Sequence, residues 1–436
     1  MKLAVVGGGS TYTPELADGF ARSTDSLPVG EVVLIDPALG RTELVAGVVR
    51  RILARQGHPA RVTVTDSVAR GAEGADAVLL QLRVGGQTAR HGDETWPVDC
   101  GCVGQETVGA GGLAKALRTV PVALDVARQV RAVAPDAWLV DFTNPVGIVT
   151  RALLDEGHRA VGLCNVAIGV QRTFARWLGV PPDDVELDHV GLNHLTWVRG
   201  ARVRGGDAGT TDVLPALLDA HGDELADEIG LPAELLRRLG LLPSYYLRYY
   251  WAHDAVVAAQ RAAGGATRAA QVASLEAQLL DAYADPGLDT KPEILARRGG
   301  AYYSEAAVDL LRGLLGKPGG DAPGDADPTA VPRVADVRNN GTLPFLPDDA
   351  VVEVPCRVGP DGPTPLPVAP LPPLLAGLVA GVAAYEELAL DAALRGGRDR
   401  VYDALLAHPA VGQHALADAL TDRLLAAGRN HLAWAR

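Results

Sequence analysis

Cysteine and methionine are scarce in this chain, with four cysteines and one methionine among 436 residues. Four cysteines in so long a chain do not make a disulfide framework. Runs rich in lysine and arginine are also missing, and the formal net charge is −13. Because binding to a phosphate backbone needs clustered cations, we expect no nucleic-acid partner.

Long apolar runs are missing as well. No window reaches about 18 uninterrupted apolar residues, so no membrane-spanning segment is expected. The N-terminus lacks the charged segment, apolar core and cleavage site of a signal peptide, and it predicts a strand instead. With a hydrophobic content of 48%, the chain has ample material for a core. We therefore expect a soluble, cytoplasmic protein of two or three domains.

Strand and helix signals alternate through the first 165 residues. Helices are predicted at residues 42–55 and 113–133. The predicted strands are short runs of valine, leucine and isoleucine at residues 2–6, 32–35, 62–65, 77–82, 138–142 and 160–163. Such runs are typical of parallel strands buried on both faces, and the alternation predicts an α/β, Rossmann-type doubly wound sheet.

The pattern changes after residue 165. Strands are predicted at residues 185–191, 195–203 and 351–354, and helices at 214–221, 266–283, 304–315 and from 374 onward. Residues 317–330 are rich in proline, glycine and aspartate, which predicts an exposed loop. We divide the chain into a nucleotide-binding domain at 1–165 and a mixed α/β, helix-rich substrate- and metal-binding domain at 166–436.

A glycine triplet stands at the first strand-to-helix junction, in Gly7, Gly8, Gly9, Ser10 and Thr11. Glycine there allows a tight turn and close approach to a pyrophosphate, and the next helix offers free N–H groups to the anion. The segment predicts binding of a dinucleotide.

Asp36 ends the second predicted strand, where an acid binds the adenosine ribose and favours NAD over NADP. A turn residue before Pro37 is the alternative role for Asp36.

Eight segments, in order along both halves of the chain and beginning with the glycine-rich segment, resemble glycoside hydrolase family 4. Members of that family depend on NAD and a divalent metal. The eight segments are Gly7-Gly8-Gly9-Ser10, Leu82-Arg83-Val84-Gly85-Gly86, Val103-Gly104-Gln105-Glu106-Thr107, Phe142-Thr143-Asn144-Pro145, Gly162-Leu163-Cys164-Asn165, Gly191-Leu192-Asn193-His194, Tyr246-Leu247-Arg248-Tyr249-Tyr250 and Arg298-Gly299-Gly300-Ala301-Tyr302-Tyr303. The resemblance implies the architecture of lactate and malate dehydrogenases and a homodimer or homotetramer.

The resemblance also implies a redox route to glycoside cleavage, which needs no facing pair of carboxylates. Hydride passes from C3 of the sugar to NAD, and the resulting ketone acidifies the C2 proton. A base removes that proton, the glycosidic oxygen leaves C1, water adds and hydride returns. A divalent metal on the C2 and C3 oxygens stabilises the intermediate anion.

Cys164 and His194 are the metal ligands that the resemblance implies, with Mn²⁺ as the family's metal. Both residues follow predicted strands, where open α/β sheets place their ligands. Taken alone, Cys164 is also an ordinary buried apolar residue and His194 an ordinary structural histidine. Cys100, Cys102 and Cys356 match no ligand position.

Tyr246 is the implied C2 base, with Glu106 placed nearby to increase its basicity. An unperturbed tyrosine has a pKa of about 10, so its surroundings must activate it. Packing is the alternative role for the cluster of tyrosines at this point in the chain. Tyr245 is the neighbour that an alignment most easily confuses with Tyr246.

Arg90, Asn144, Asn165 and Arg268 match the family's substrate-binding positions. Arginine binds phosphate through two parallel hydrogen bonds, which suits a sugar 6-phosphate. The alternative role for each arginine is that of a solvated surface charge. The alternative role for Asn144 is that of a helix cap. The Cys-Asn pair at 164–165 is similar to the 6-phospho-β-glucosidase branch, whereas the α branch has Cys-Asp. No leaving-group acid is assigned.

Two other functions stay open at this stage. A lactate- or malate-type dehydrogenase shares the N-terminal architecture but uses no metal and consumes NAD stoichiometrically. A non-catalytic protein that binds NAD and a sugar phosphate requires the matches at Cys164, His194 and Tyr246 to be vestigial.

Overall fold

Six parallel strands form the first half of one sheet. The computed structural model describes residues 1–204, 211–300, 302–316 and 331–435. The strands are β1 (Lys2–Val6), β2 (Glu31–Ile35), β3 (Arg61–Thr65), β4 (Ala77–Leu80), β5 (Trp138–Asp141) and β6 (Ala160–Gly162). They pair in the order β3-β2-β1-β4-β5-β6. This is the doubly wound order of Rossmann-type folds, so the fold prediction is confirmed.

Helices cover both faces of this parallel half, which explains the apolar strands. Leu3, Val5, Val78, Leu79 and Leu80 are fully buried, because each side of the sheet is covered. The helices are α1 (Thr13–Ala21), α2 (Leu39–Arg55), α3 (Val68–Ala72), α4 (Gly86–Asp99), α5 (Gly109–Val133), α6 (Val146–Asp155) and α7 (Val166–Leu178).

The sheet continues into the second half without a break. Its further strands are β7 (Val185–Leu192), β8 (Leu195–Val203), β9 (Leu242–Pro243), β10 (Arg333–Arg338), β11 (Val351–Gly359) and β12 (Gly362–Pro365). β10 pairs antiparallel with both β6 and β11, so it joins the two halves. β11 then pairs with β7, which forms a hairpin with β8. The division at residue 165 stays a prediction.

Helices of the second half pack both against this antiparallel extension and against helices of the first half. They are α8 (Leu214–Ile229), α9 (Ala233–Leu239), α10 (Arg248–Trp251), α11 (His253–Ala262), α12 (Arg268–Tyr283), α13 (Ile294–Arg297), α14 (Tyr303–Leu315), α15 (Pro373–Arg395), α16 (Arg398–Ala407) and α17 (His414–Gly428). Short 3₁₀ turns occur at Pro182–Asp184, Tyr245–Leu247 and Ala433–Ala435. The loop predicted at residues 317–330 lies outside the described residues.

Helix α15 is the one helix of the described chain that is long and apolar enough, by length and composition alone, to cross a membrane. Core helices of soluble proteins pass the same test. α15 packs against α5 and α16, with Leu375, Val379 and Ala389 buried. In the most apolar 18-residue window of α15, 39% of the residues are buried.

Helix α4 is one of the elements that periodicity did not predict. Its residues are mostly polar, and Pro97 lies within its last turn. It nevertheless packs against α5 and α12, because its buried side includes Trp96 and the ion-paired Asp93 and Glu94. Its position matters because it carries Arg90 to the carboxyl edge of the sheet.

Candidate active site

A cavity of about 980 Å³ opens at the carboxyl ends of the parallel strands. Gly7, Asp36, Gln81, Asn144 and Asn165 line it, and they follow β1, β2, β4, β5 and β6. Open α/β sheets bind their ligands at this edge. The glycine-rich loop forms one part of the wall and the tyrosine cluster that includes Tyr246 forms another.

The glycine-rich loop is shaped by its own backbone requirements. Gly7 has φ +86°, and a Cβ there would lie 2.7 Å from the carbonyl oxygen of Gln81. Gly8 packs against Leu34, where a Cβ would also lie at 2.7 Å. Within the loop, Gly7, Gly9 and Ser10 line the cavity, whereas Gly8 and Thr11 are buried. The loop therefore brings backbone and one hydroxyl to the cavity ahead of α1, as pyrophosphate binding requires.

Asp36 lies beside this loop and is partly held by it. Its Oδ2 accepts from the Gly9 N–H (3.2 Å) and its Oδ1 from the Ala38 N–H (2.9 Å). Asp36 therefore stabilises the turn at Pro37, which is the alternative role named from the sequence, and it also lines the cavity. Arg41 donates to the Gly9 carbonyl oxygen at 2.7 Å, which adds a cation to the same loop.

Cys164 and His194 come from distant strands, and the structure places them differently. Cys164 follows β6, and His194 is in the two-residue turn between β7 and β8. The ring of His194 stacks on the ring of Tyr246, with centroids 3.7 Å apart. Cys164 is buried and lines a second, smaller cavity of about 320 Å³. The structure therefore brings one predicted ligand, His194, into contact with the predicted base.

The backbone and hydrogen bonds of His194 fix how its ring is presented. Its φ is +63°, a value that non-glycine residues adopt rarely and often at functional sites. The Thr107 hydroxyl donates to Gln105 Oε1 (2.8 Å), so it can only accept from His194 Nδ1 (3.0 Å). Nδ1 therefore carries the proton, and Nε2 keeps a lone pair for a metal.

The chemistry of these two side chains fits a divalent metal. Burial lowers the pKa of His194 to about 3, so its imidazole is neutral, as a ligand must be. Burial and the Glu353 charge raise the pKa of Cys164 well above its usual value, so its thiolate needs a bound cation. Glu353 also accepts from Asn193 Nδ2 at 2.9 Å, which anchors the turn that holds His194. Within the described ranges, no group of three or more His, Cys, Asp or Glu side chains is placed to hold a metal ion.

Tyr246 is buried among other aromatic rings. Only 8% of it is exposed, and burial followed by the neighbouring Tyr245 raises its pKa well above the usual value. Its ring stacks on that of Tyr245, with centroids 4.2 Å apart. A base at this position therefore needs a nearby cation to form its phenolate.

Glu106 is buried and forms ion pairs with three cationic side chains. Its carboxylate contacts Arg83 (2.6 Å), Lys115 (2.5 Å) and Arg90 (3.2 Å). Burial opposes ionisation, but these three charges outweigh it and hold the pKa of Glu106 well below its usual value. Arg90, Glu106 and Tyr246 line the same cavity. The effect of Glu106 on the basicity of Tyr246 stays a prediction.

Removing the Glu106 charge is expected to destabilise the fold. Glu106→Gln leaves buried cations without their shared partner, and breaking such a buried ion pair costs about 3–5 kcal/mol. Chemical denaturation measures the free energy of unfolding. The control is Glu156→Gln, which breaks a more exposed pair with Arg128 and should cost about 0–1 kcal/mol. Equal losses in the two variants would contradict a special role for the buried pair.

The predicted substrate residues take up different positions along the cavity. Arg90 lines it while paired with Glu94 at 2.7 Å, and Asn165 also lines it. The Oδ1 of Asn144 is buried and has no hydrogen-bond partner among the described residues, so it is suited to a ligand. Arg268 lies exposed at the start of α12, where it donates to the carbonyl oxygens of Arg297 (2.9 Å) and Arg298 (3.0 Å).

Several cavity residues were not assigned a role from sequence. Lys115 is buried, and burial together with nearby Arg83 lowers its pKa to about 7 despite the opposing charge of Glu106. Glu276 bridges Arg298 (3.0 Å) and Arg41 (3.5 Å) beside the glycine-rich loop. Arg83 and Arg298 lie in segments that match the family, so the sequence held a signal for these two residues. No motif in the sequence pointed to Lys115 or Glu276.

Glycines permit close packing on one side of the cavity and leave space on the other. A Cβ at Gly104 would overlap the carbonyl oxygen of Glu94, and one at Gly111 would overlap that of Gln105. By contrast, Gly264 and Gly265 line the cavity with nothing within 4 Å of a Cβ. The wall that carries Glu106 is therefore tightly packed, and the rim at Gly264–Gly265 is open.

Together, the sheet order and the glycine-rich loop define a Rossmann-type protein with a candidate dinucleotide site. A malate dehydrogenase from Salinibacter ruber has the same architecture, with a TM-score of 0.53 at 19% identity, covering 92% of this chain and 99% of that one. This likeness concerns the fold alone.

The chain belongs to family 4 of the glycosyl hydrolases. The model of that family matches residues 2–180, and the model of its C-terminal domain matches residues 189–411. A probable 6-phospho-beta-glucosidase from Bacillus subtilis is 36% identical over 445 residues, covering 99% of this chain and 97% of the relative. The structure of a Thermotoga maritima 6-phospho-beta-glucosidase with manganese, NAD⁺ and glucose-6-phosphate has a TM-score of 0.88 at 31% identity and covers 99% of both chains. The resemblance seen in the sequence is confirmed.

Proposed function

We propose that this chain hydrolyses 6-phospho-β-glucosides to glucose 6-phosphate and an aglycone, by redox elimination and addition. The observation that carries the proposal is that one cavity joins the glycine-rich loop to Tyr246, whose ring stacks on that of His194. The names of the relatives support a β-glucoside as the substrate. Asn165 supports it as well, because the α branch has an aspartate at this position and asparagine has no carboxyl proton to donate.

The cofactor and the metal would be held by two different sets of residues. Gly7, Gly9 and Ser10 would hold NAD, and Cys164 with His194 would hold Mn²⁺. When bound, NAD supplies a hydride acceptor for C3 of the sugar, and the metal supplies a Lewis acid. Tyr246 would accept the C2 proton, and the buried cation of Arg90 would stabilise its phenolate.

The test is a panel of p-nitrophenyl glucosides in both anomers, with and without a 6-phosphate, assayed with and without NAD and Mn²⁺. Cleavage of the phosphorylated β-glucoside alone, with catalytic NAD and no accumulation of NADH, is the expected result. Stoichiometric NADH without aglycone release would indicate a dehydrogenase instead. NAD binding without any turnover would indicate a non-catalytic protein.

The position of Asp36 beside the loop leads us to propose a preference for NAD over NADP. Its carboxylate would repel a 2′-phosphate on the adenosine ribose. Asp36→Ser should therefore narrow the difference between the dissociation constants of the two cofactors, measured by titration calorimetry. If the parent protein binds both equally, the role of Asp36 is limited to the turn.

Arg268→Ala is expected to weaken use of the phosphorylated substrate. Loss of a charged partner of a phosphate typically costs about 2–5 kcal/mol, so kcat/KM should fall on the order of 30-fold or more. Arg237→Ala, which removes an exposed arginine paired with Asp223, is the control. Because Arg268 also holds the carbonyl groups of residues 297 and 298, a purely structural effect would slow unphosphorylated glucosides equally.

A further inference from the structure

One face of helix α4 lines the cavity along the whole length of the helix. The lining residues of α4 are Gly86, Gln87, Arg90, Glu94, Thr95, Val98 and Asp99. They recur every three to four residues, as the positions on one side of a helix do. At a rise of about 1.5 Å per residue, this face is about 20 Å long. A place in the cavity can therefore be given by the nearest turn of α4.

The first turn of this face lies next to the glycine-rich loop. Gln87 donates to Glu276 (3.2 Å), and Arg298 donates to the same carboxylate oxygen (3.0 Å). Arg298 also lies 3.4 Å from the Ser10 hydroxyl. This end of the cavity is therefore the one that the proposed cofactor would occupy.

The middle of the face carries the predicted substrate residues. Arg90 contacts the Glu106 carboxylate at 3.2 Å. One turn further, Glu94 accepts from the N–H of Ala269 (2.8 Å), which is the residue after Arg268. Arg90 and Arg268 therefore lie at about the same level of α4, and the phosphorylated sugar belongs there.

The last turns of the face border a part of the cavity to which no ligand has been assigned. We call it the distal stretch, and its lining residues are Thr95, Val98, Asp99, Gln260, Arg261, Gly264 and Gly265. Gln260 accepts from the N–H of Gly104 (3.0 Å) and donates to its carbonyl oxygen (2.6 Å). Arg261 donates to the Val98 carbonyl oxygen at 3.2 Å. These bonds hold α11 against the end of α4.

Arg261 has most of its hydrogen-bonding capacity left for a ligand. Within the described part of the chain it donates only to Val98 and pairs with no carboxylate, although a guanidinium carries five N–H groups. Asp99, the acid of the distal stretch, is paired with Arg423 instead, at 2.5 Å. Val98 is the one apolar side chain longer than a methyl group in this set, whereas sites for apolar ligands are lined mainly by hydrophobic and aromatic residues. The distal stretch therefore suits a ligand with hydroxyl groups.

We propose that the distal stretch binds the aglycone, and that this aglycone is a sugar whose hydroxyl groups accept hydrogen bonds from Arg261. The preferred substrate is then a β-linked disaccharide with the 6-phosphate on its reacting glucose unit, and not an aryl glucoside. This inference rests on the proposed function, because it requires the phosphorylated glucose unit to lie beside Arg90 and Arg268.

The test compares Arg261→Met with the parent on two 6-phospho-β-glucosides that differ only in the aglycone. One aglycone is glucose, and the other is a phenyl group, which has no hydroxyl to offer. Methionine keeps an unbranched stem but has no N–H donors. For the disaccharide, kcat/KM should fall about 10- to 100-fold, because hydrogen bonds from a charged group contribute that much. For the phenyl glucoside it should stay close to that of the parent.

The loss on the disaccharide should appear mainly in KM, because a contact with the aglycone is made equally before and during the reaction. Arg238→Met is the control, since Arg238 is an exposed arginine of α9 that does not line the cavity. Neither substrate should be affected by that change. Unchanged turnover of the phenyl glucoside by Arg261→Met also shows that the variant is folded and binds the phosphorylated sugar.

The outcomes separate this inference from the proposed function. Equal losses on the two substrates, or no loss on either, would overturn the role of the distal stretch while leaving the proposed function in place. If the parent cleaves neither phosphorylated glucoside in the presence of NAD and Mn²⁺, the proposed function is wrong, and the inference that rests on it is wrong as well.

Discussion

Cys164→Ser and His194→Gly are each expected to remove glycosidase activity and Mn²⁺ binding while leaving NAD binding intact. Altering residues that merely support metal ligands usually costs 10–100-fold, so loss of a ligand should exceed about 100-fold. Glycine is chosen at position 194 because φ is +63° there, and alanine would add backbone strain.

Metal affinity is measured by Mn²⁺ titration calorimetry, and activity by aglycone release at saturating Mn²⁺. Cys100→Ser is the matched control, since Cys100 is a free thiol that matches no ligand position. The glycine-rich loop contains neither of the two residues, so NAD affinity should stay close to that of the parent. Full activity of the parent after exhaustive chelation would contradict the metal site.

Tyr246→Phe is expected to lose about 10²–10⁴-fold in kcat, because a positioned base contributes that much. The change keeps the ring that stacks on His194 and Tyr245, so the fold should be unaffected. Only the hydroxyl that would accept the C2 proton is lost. Exchange of the C2 hydrogen with solvent should therefore stop together with cleavage.

Cleavage in D₂O, with NMR of the released sugar, tests this prediction directly. The parent should give a product that carries deuterium at C2. Thermal unfolding of parent and variant checks that both are folded. A parent product with hydrogen fully retained at C2 would rule out elimination, whichever residue is the base.

The parallel half of the fold was predictable because its signals are local. Each strand is a short apolar run between helices, and the predicted limits agree with the structure within a few residues. The place of β10 was not predictable, because it depends on pairing with β6 some 170 residues earlier in the chain. Helix α4 was missed because most of its side chains are polar and its packing relies on ion pairs.

The candidate site was predictable only as a set of residue types. Motifs named Cys164, His194 and Tyr246, and the structure adds that the rings of His194 and Tyr246 stack. The motifs did not show that Arg90 and Lys115 both form ion pairs with Glu106. Such contacts depend on how α4 and α5 pack together, which no short motif encodes.

The uneven distribution of space around the cavity limits where this enzyme can change. Any side chain at Gly104 or Gly111 would collide with backbone, so the segment that carries Glu106 can vary little without loss of packing. The rim at Gly264 and Gly265 has open space, although φ values of +57° and +87° favour asparagine or aspartate over bulkier residues there. Under the proposed function, directed evolution for new aglycones should therefore begin at this rim, since a side chain added there enters the cavity lining without colliding with backbone.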